Sequence, residues 1–488
     1  MRPRRPCFPF RGPRRARSRP AARGGTPPVP FPRPRILLGA LALAACLGPA
    51  QAQEGGAVTL SPAEMRQAVT LAIGADQPDV ALRLADALIA RDASDVPALI
   101  YRARALRDMG RLDEARTAAR VAWHAAESER ERYGAALVRA QVLSSSGART
   151  RAQVWLRRAV ELAPTEADRA RAVRDFRYVR ARNPWSVELD FKVAPSSNIN
   201  DGSVHDRIQF AGLDGVVLDG AAQALSGLRI AGGVATRLRF SESARHATDA
   251  GLQLYHETYI LSEEARDQAP DVTGSDFAFS SVVVDLRHRM RLEGGPGVTE
   301  LRAALGENWY GGERYSRFAG LSAAQAVRLG ERSRLRFTLA ARAYELLPHE
   351  GEEDESDTWL ARAQWQRALE GGGLVELSYA WRESDSERSS LDYSERWAGV
   401  RYTHGAPLWG ARATAELDLR RRDYAAFPFS LDGREDEEGT ARLRLAFEEV
   451  EYYGFVPVLS LFASERRSTL DRYDTREQGL SVGFRSAF

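Results

Sequence analysis

From Trp185 to the last residue, apolar and polar side chains alternate with period two, and no other property of this chain restricts its fold as tightly. A β-strand turns successive side chains to opposite faces, so the rhythm is that of strands with one apolar and one polar side. Trp185, Val187, Leu189, Phe191 and Val193 alternate with Ser186, Glu188, Asp190 and Lys192. Val375, Leu377, Tyr379 and Trp381 repeat the pattern. So do Ala415, Leu417 and Leu419, then Leu443, Leu445 and Phe447, and finally Leu480, Val482, Phe484 and Phe488. Fourteen strands can be read, beginning near 185, 227, 248, 275, 298, 315, 332, 357, 373, 391, 410, 437, 454 and 478. Those near 248, 275 and 454 alternate less cleanly.

A soluble sandwich alternates too, but three features favour a transmembrane barrel. The strand number is even. The connections on one side are short, at 241–247, 293–297, 330–333, 370–373, 404–410 and 449–454, while those opposite are mostly longer and charged, as at 348–357, 423–437 and 465–477. That asymmetry is the one expected of outer-membrane barrels, with the short turns in the periplasm. Third, the aromatic Phe488 closes the last alternating strand, like the C-terminal signal of such barrels, which implies handling by the barrel-assembly machinery during biogenesis. A closed barrel leaves no edge strand and pairs every backbone group, as lipid requires. Mean hydropathy is −0.39, which does not count against a barrel, because its membrane signal is alternation rather than bulk apolarity. Arg237, Arg239, Arg334, Arg336, Glu416, Asp418, Arg442 and Arg444 fall on the polar faces and are expected to pair within the lumen.

Residues 53–183 read differently. Ala, Leu, Arg and Glu recur at helical spacing, giving pairs at about 62–73 with 77–91, 95–109 with 112–127, and 129–146 with 149–163, then a last helix at 165–182. Ala98, then Tyr101 to Leu106, then Gly110 to Ala115, with a Gly-x-x-x-Glu-Ala turn, resembles the tetratricopeptide repeat of about 34 residues. Each helix pair buries only one stripe, so neighbours must stack, and the concave face of such a stack suits an extended peptide or partner. A rigid spacer is the plainer role. Pro184 ends the last helix.

The first 52 residues read as a targeting segment. Residues 1–35 carry 11 Arg and no acid, and an apolar run of 12 residues follows at 36–47. The run is too short to span a bilayer and precedes Ala50-Gln51-Ala52, a small-x-small site, so cleavage after Ala52 is expected. Leu43 to Cys46 also fits a lipobox, which offers lipidation of Cys46 as an alternative. Removal of 1–52 changes the formal charge from +3 to −8. A mildly acidic mature chain does not suggest a nucleic-acid partner. Cys7 and Cys46 are the only cysteines, so no disulfide framework or cysteine metal site is expected beyond residue 52. Arg outnumbers Lys 68 to 1, Lys192 being alone, which reflects genome bias more simply than function.

No nucleophile elbow, zinc-protease, P-loop or dinucleotide motif is present, and His246, His256, His288, His349 and His404 share no ligand spacing. The acidic stretch 350–357 suits a solvated loop better than a Ca²⁺ site. The expectation is a non-enzyme with no cofactor and no metal.

The order of parts is a signal, a short repeat domain, then residues 182–204, RNPWSVELDFKVAPSSNINDGSV. Within it Ala194, Pro195, Ser197, Asn198, Ile199 and Asn200, followed by Asp201, resemble the barrel start of the Slam family, the surface lipoprotein assembly modulators. Leu218 to Ala222, with Ser226 and Gly227, resemble that family's next segment. The resemblance covers roughly 95–488. It implies a 14-stranded barrel with periplasmic repeats that helps a lipoprotein or related secreted protein cross the outer membrane. The resulting expectation is a translocon or assembly factor, its partners being outer-membrane lipid and a client protein. The 195–226 connection, apolar in its second half at Phe210, Leu213, Val216, Val217 and Leu218, is expected to fold into the lumen or over its mouth. Asn198, Asn200 and Asp201 are expected as turn or capping residues there. Rival readings are a polysaccharide exporter, a passive porin and a soluble binding module.

Overall fold

The computed structural model describes residues 60–210, 213–347, 354–428, 430, 432–450, 452 and 455–486. Cys7, Cys46, Ala50, Ala52 and Phe488, with the targeting and C-terminal signals assigned to them, lie outside the described residues, as does the first half of the acidic stretch, 350–353. Seven helices come first: α1 (Pro62–Gly74), α2 (Pro78–Arg91), α3 (Val96–Asp108), α4 (Leu112–Ala125), α5 (Glu129–Ser145), α6 (Arg149–Glu161) and α7 (Glu166–Arg182).

Their ends follow from local chemistry. Ser61 with Glu64, and Ser128 with Glu131, form reciprocal capping boxes at α1 and α5. Asp95 and Thr165 cap α3 and α7 through their side chains. Gly110 and Gly147 follow α3 and α5 with φ of +77° and +79°, a conformation that side chains with a Cβ rarely adopt. The helices stack through small residues. Ala103, Ala115, Ala118 and Ala119 let α3 and α4 approach closely beneath Leu106 and Val142. Phe176 of α7 is fully buried against Leu156, Ala159 and Val160 of α6. Odd-numbered helices also bond to one another. Arg107 donates to Gln141 Oε1 at 2.8 Å, and the Tyr133 hydroxyl donates to the Asp168 carbonyl at 3.1 Å.

After Pro184 the backbone becomes extended. The strands are β1 (Trp185–Ser196), β2 (Arg207–Phe210), β3 (Leu213–Val217), β4 (Gly227–Glu242), β5 (His246–Leu261), β6 (Phe279–Arg291), β7 (Gly297–Tyr310), β8 (Glu313–Arg328), β9 (Ser333–Leu346), β10 (Asp354–Ala368), β11 (Leu374–Asp385), β12 (Tyr393–Thr403), β13 (Arg412–Tyr424), β14 (Arg434–Ala446), β15 (Phe455–Ser468) and β16 (Thr475–Ser486). Among the described residues fourteen of them form one closed antiparallel barrel, β1 pairing with both β4 and β16; β2 and β3 form a separate hairpin.

Two details differ from the sequence expectation. At the end of the barrel away from α7, strands run past the point where alternation fails. The expected connections at 423–437 and 465–477 shrink to 425–433 and 469–474. The outward positions there carry charge, as at Arg421 opposite Glu437 and Glu465 opposite Arg476, so the ladder continues while the apolar rhythm stops. The second detail is that β7 and β8 meet in a two-residue turn at the same end, Gly311 and Gly312, with φ of +59° and +88°. Positive φ at both central residues is what a tight hairpin of matching twist requires.

Candidate functional site

Alternation and register together sort the barrel wall into two faces. Phe191, Val193, Ile230, Leu254, Val284, Leu305, Leu321, Leu339, Trp359, Leu417, Leu461, Val482 and Phe484 share the outward, lipid-facing parity. The opposite parity is dense in arginine and carboxylate. Asp249 on β5 takes Arg239 from β4 and Arg287 and Arg289 from β6, at 3.0, 3.0 and 3.1 Å. Asp285 on β6 takes Arg237 and Arg302, both at 3.1 Å. Glu395 on β12 is shared by Arg382, Arg420 and Arg422, and Glu416 on β13 by Arg401, Arg442 and Arg444. Asp249, Glu395 and Glu416 each sit on one strand and collect cations from that strand's two neighbours, while Asp285 reaches past β5 to Arg237 of β4 as well as to Arg302 of β7. A carboxylate out of water needs such partners, since an unpaired buried charge is strongly destabilising. The charge-paired face is thus stitched mostly three strands at a time, with the Asp285 cluster running from β4 to β7.

The first connection, 197–226, is held at the end of the barrel away from α7 by three sets of bonds. Asn198 closes a loop on its own backbone: its Nδ2 donates to the Gly202 carbonyl and its Oδ1 accepts from the Gly202 N–H, both at 2.9 Å. Asn200 reaches further. Its Nδ2 donates to the carbonyls of Ala221 and Gln223 at 2.8 and 2.7 Å, and its Oδ1 accepts from the Leu225 N–H at 2.9 Å. One amide therefore ties the two limbs of the connection together. Asp201, at φ +52°, pairs with Arg466 of β15 at 2.5 Å. Ala194 is buried, and Pro195 stands beside it on β1. The Ser197 hydroxyl accepts from the Gln478 N–H at 3.1 Å.

Ile199 and Leu225 form a small core with Leu261, Ala265 and Ala269, the last two on and beside the short helix α8 (Glu263–Gln268). Ser226 and Ser262 share a 2.7 Å hydrogen bond. Gln268 donates to the Gly220 carbonyl at 3.0 Å. The packing is tight: a Cβ on Gly202 would fall 2.3 Å from the Gln223 carbonyl oxygen, and one on Gly220 1.9 Å from that of Gln268. A Cβ on Gly227 would fall 2.4 Å from the Ile260 oxygen.

The same connection is bonded to the last one, 469–474. Val204 N–H donates to the Asp474 carbonyl at 2.9 Å, and His205 Nε2 lies 3.0 Å from Asp474 Oδ2. The Ser203 hydroxyl donates to the Asp471 carbonyl at 3.1 Å, and Arg472 to that of Ala222 at 2.8 Å. Tyr473 continues the contact: Arg434, buried and paired with Asp436, lies 3.5 Å over its ring and also against Tyr424 and Phe427. The sequence motif brought most of these residues together, but the partners Asp471, Arg472, Asp474 and Arg466 carried no signal. They lie some 250 or more residues away, and nothing local marks them. Among the described residues no group of three or more His, Cys, Asp or Glu is placed to hold a metal ion.

The family model described as surface lipoprotein assembly modifier matches residues 185–488, the whole barrel. The chain belongs to this family. The family and the barrel together assign it to the outer membrane, a role in surface lipoprotein assembly and a lipoprotein client. No curated protein matches the chain. Among solved structures, the helical part is similar to the type III secretion translocator chaperone SycD of Yersinia enterocolitica, at 14% identity over 25% of this chain and 88% of that one, TM-score 0.22. It is also similar to the Arabidopsis OM64 TPR domain, at 18% identity over 24% and 93%, TM-score 0.21. The barrel is similar to Acinetobacter baumannii OccAB3, at 9% identity over 62% and 98%, TM-score 0.34. At these scores the likenesses add nothing to the topology described above.

Proposed function

We propose that this family member is a translocon: the helical stack stands in the periplasm and receives the lipoprotein client, and the barrel passes it to the cell surface. The observation that carries the reading is continuity between the two parts. α7 ends at Arg182 and β1 begins at Trp185, while Arg157 of α6 lies 5.7 Å over the ring of Phe455 at the start of β15. A client held on the stack is therefore delivered at the barrel's near rim rather than at the end of a flexible tether. In the proposed mechanism no bond is made or broken and no cofactor takes part; binding and a route suffice.

The test is display of an epitope-tagged candidate client, a lipoprotein with a lipobox and an eight-stranded domain, read by antibody on intact cells. Deleting 62–182 is expected to abolish display while the barrel stays heat-modifiable in detergent gels. Deleting 196–225 should impair display in the same way. Unchanged display in both variants overturns the reading, and steady ion conductance without client dependence would favour a passive porin instead.

A further inference from the structure

The barrel wall is uneven at one place. Among the described residues the ladder of β1 and β16 runs from Asp190 opposite Arg485 and stops at Val193 opposite Val482, whereas Ala194, Pro195 and Ser196 go on pairing with β4 on the other side. The cause is visible just above that ladder. Above it stands Pro195, which has no N–H to give. β16 nevertheless stays close: a Cβ on Gly479 would fall 2.8 Å from the Pro195 carbonyl oxygen, and one on Gly483 2.6 Å from that of Phe191. Unpaired backbone in hydrocarbon is costly, so a seam of this kind is an exception that a membrane barrel ordinarily avoids.

The two lips of the seam are amphipathic. Phe191, Val193, Val482 and Phe484 lie on the lipid side, and Asp190, Lys192 and Arg485 on the lumen side. Where the ladder fails at the upper end, side chains bridge it instead. Ser196 donates to Glu477 at 2.7 Å and Ser197 accepts from Gln478. The bonds from Asp201, Ser203, Val204 and His205 to Arg466, Asp471 and Asp474 then cross the same line. The first and last connections thus clasp each other directly over the weak ladder.

Resting on the translocon reading, we propose that the β1–β16 seam is the lateral exit through which an acyl-bearing polypeptide segment passes from the lumen into the membrane, and that the 197–226 and 469–474 connections are its latch. Such a segment pairs a polar chain with apolar tails. Leaving sideways keeps the tails in hydrocarbon, whereas leaving through the mouth draws them past arginines and carboxylates into water. The lips offer charge inward and aromatic and aliphatic surface outward, which is the chemistry of that cargo.

Cys7 and Cys46 are the only native cysteines, so introduced pairs can be read cleanly in the region 53–488. V193C with V482C joins register partners across the seam; V400C with L417C joins register partners on β12 and β13 as a control. Oxidation of the seam pair should cut display of the tagged lipoprotein at least tenfold, with recovery on reduction, while the control stays within about twofold. Undiminished display by the oxidised seam pair, in cells where the parent protein delivers the client, overturns the exit and leaves the translocon standing.

A second measurement needs no client. In lipid vesicles, amide exchange at 190–193 should be at least tenfold faster than at 398–401, and faster still when D474N and R466A remove the latch. Equal protection of the two strands, or no response to the latch variants, overturns the proposal even if display is never obtained. Loss of delivery in the parent protein would instead refute the translocon reading.

Discussion

At the scale of single residues, hydrogen bonds from Ser61 and Ser128 hold the Glu64 and Glu131 carboxyls below their ordinary range. In the unfolded chain both return to about 4.3. A carboxyl depressed by folding stabilises the native state fully above its unfolded value, and that contribution disappears as pH falls through the lower folded value. Helical circular dichroism of the purified protein is therefore expected to weaken on acidification below about pH 4.3. An E64Q, E131Q variant should lose less of its signal over that interval; an identical acid profile would refute the assignment. Asn200 shows how far single residues were legible. Its type and its place in a turn-rich motif could be read from the chain, and a turn role is the ordinary expectation for Asn. The structure has it bonding residues 21 to 25 positions away. Spacing along a sequence does not carry that information, because the partners are set by the path of the hairpin between them.

At the scale of elements, periodicity located the helix pairs and strand starts because the physics is local. Capping serines, glycines at positive φ and a two-residue rhythm each act within a few positions. The strand ends at the mouth were not legible, because outward side chains beyond the apolar band are charged and break the rhythm without breaking the ladder. The arginine–carboxylate stitches were only half visible: the charged faces could be read, but not which carboxylate takes which arginines. D249N tests one stitch. It leaves Arg239, Arg287 and Arg289 around a neutral partner, and breaking a buried pair this way costs about 3–5 kcal/mol. The temperature at which the barrel loses its compact mobility in detergent gels should fall. Adding R287Q and R289Q to D249N should recover part of that loss, since the cost lies in the abandoned cations. No recovery would mean that Asp249 acts through something other than these pairs.

At the scale of the whole molecule, two kinds of cooperativity are joined end to end. The helical part is a linear stack, stabilised by nearest neighbours. The barrel is one closed hydrogen-bonded ring. Heating the purified protein should therefore remove the helical signal first and the sheet signal later, in two separate steps. Phe176→Ala, which empties the core between α6 and α7, should lower the first step by the equivalent of about 3–5 kcal/mol and leave the second in place. A single merged transition, or a shift of both steps, would show the parts to be more tightly coupled than their packing suggests. The charge is also divided: residues 61–183 carry 22 Arg against 16 acidic residues, while 184–488 carry 36 basic residues against 49 acidic ones.

The three-strand stitches also bear on how such a wall is built. Asp249 of β5 meets Arg239 when the β4–β5 hairpin closes, and receives Arg287 and Arg289 only when β6 is added. Glu395 likewise meets Arg382 of β11 before Arg420 and Arg422 arrive with β13. At these places a strand laid down leaves a carboxylate part-filled, and the next strand brings the cations that fill it. Assembly in chain order is thereby rewarded around β5, β12 and β13, and a strand added out of turn there would meet a wall whose charges do not match its own.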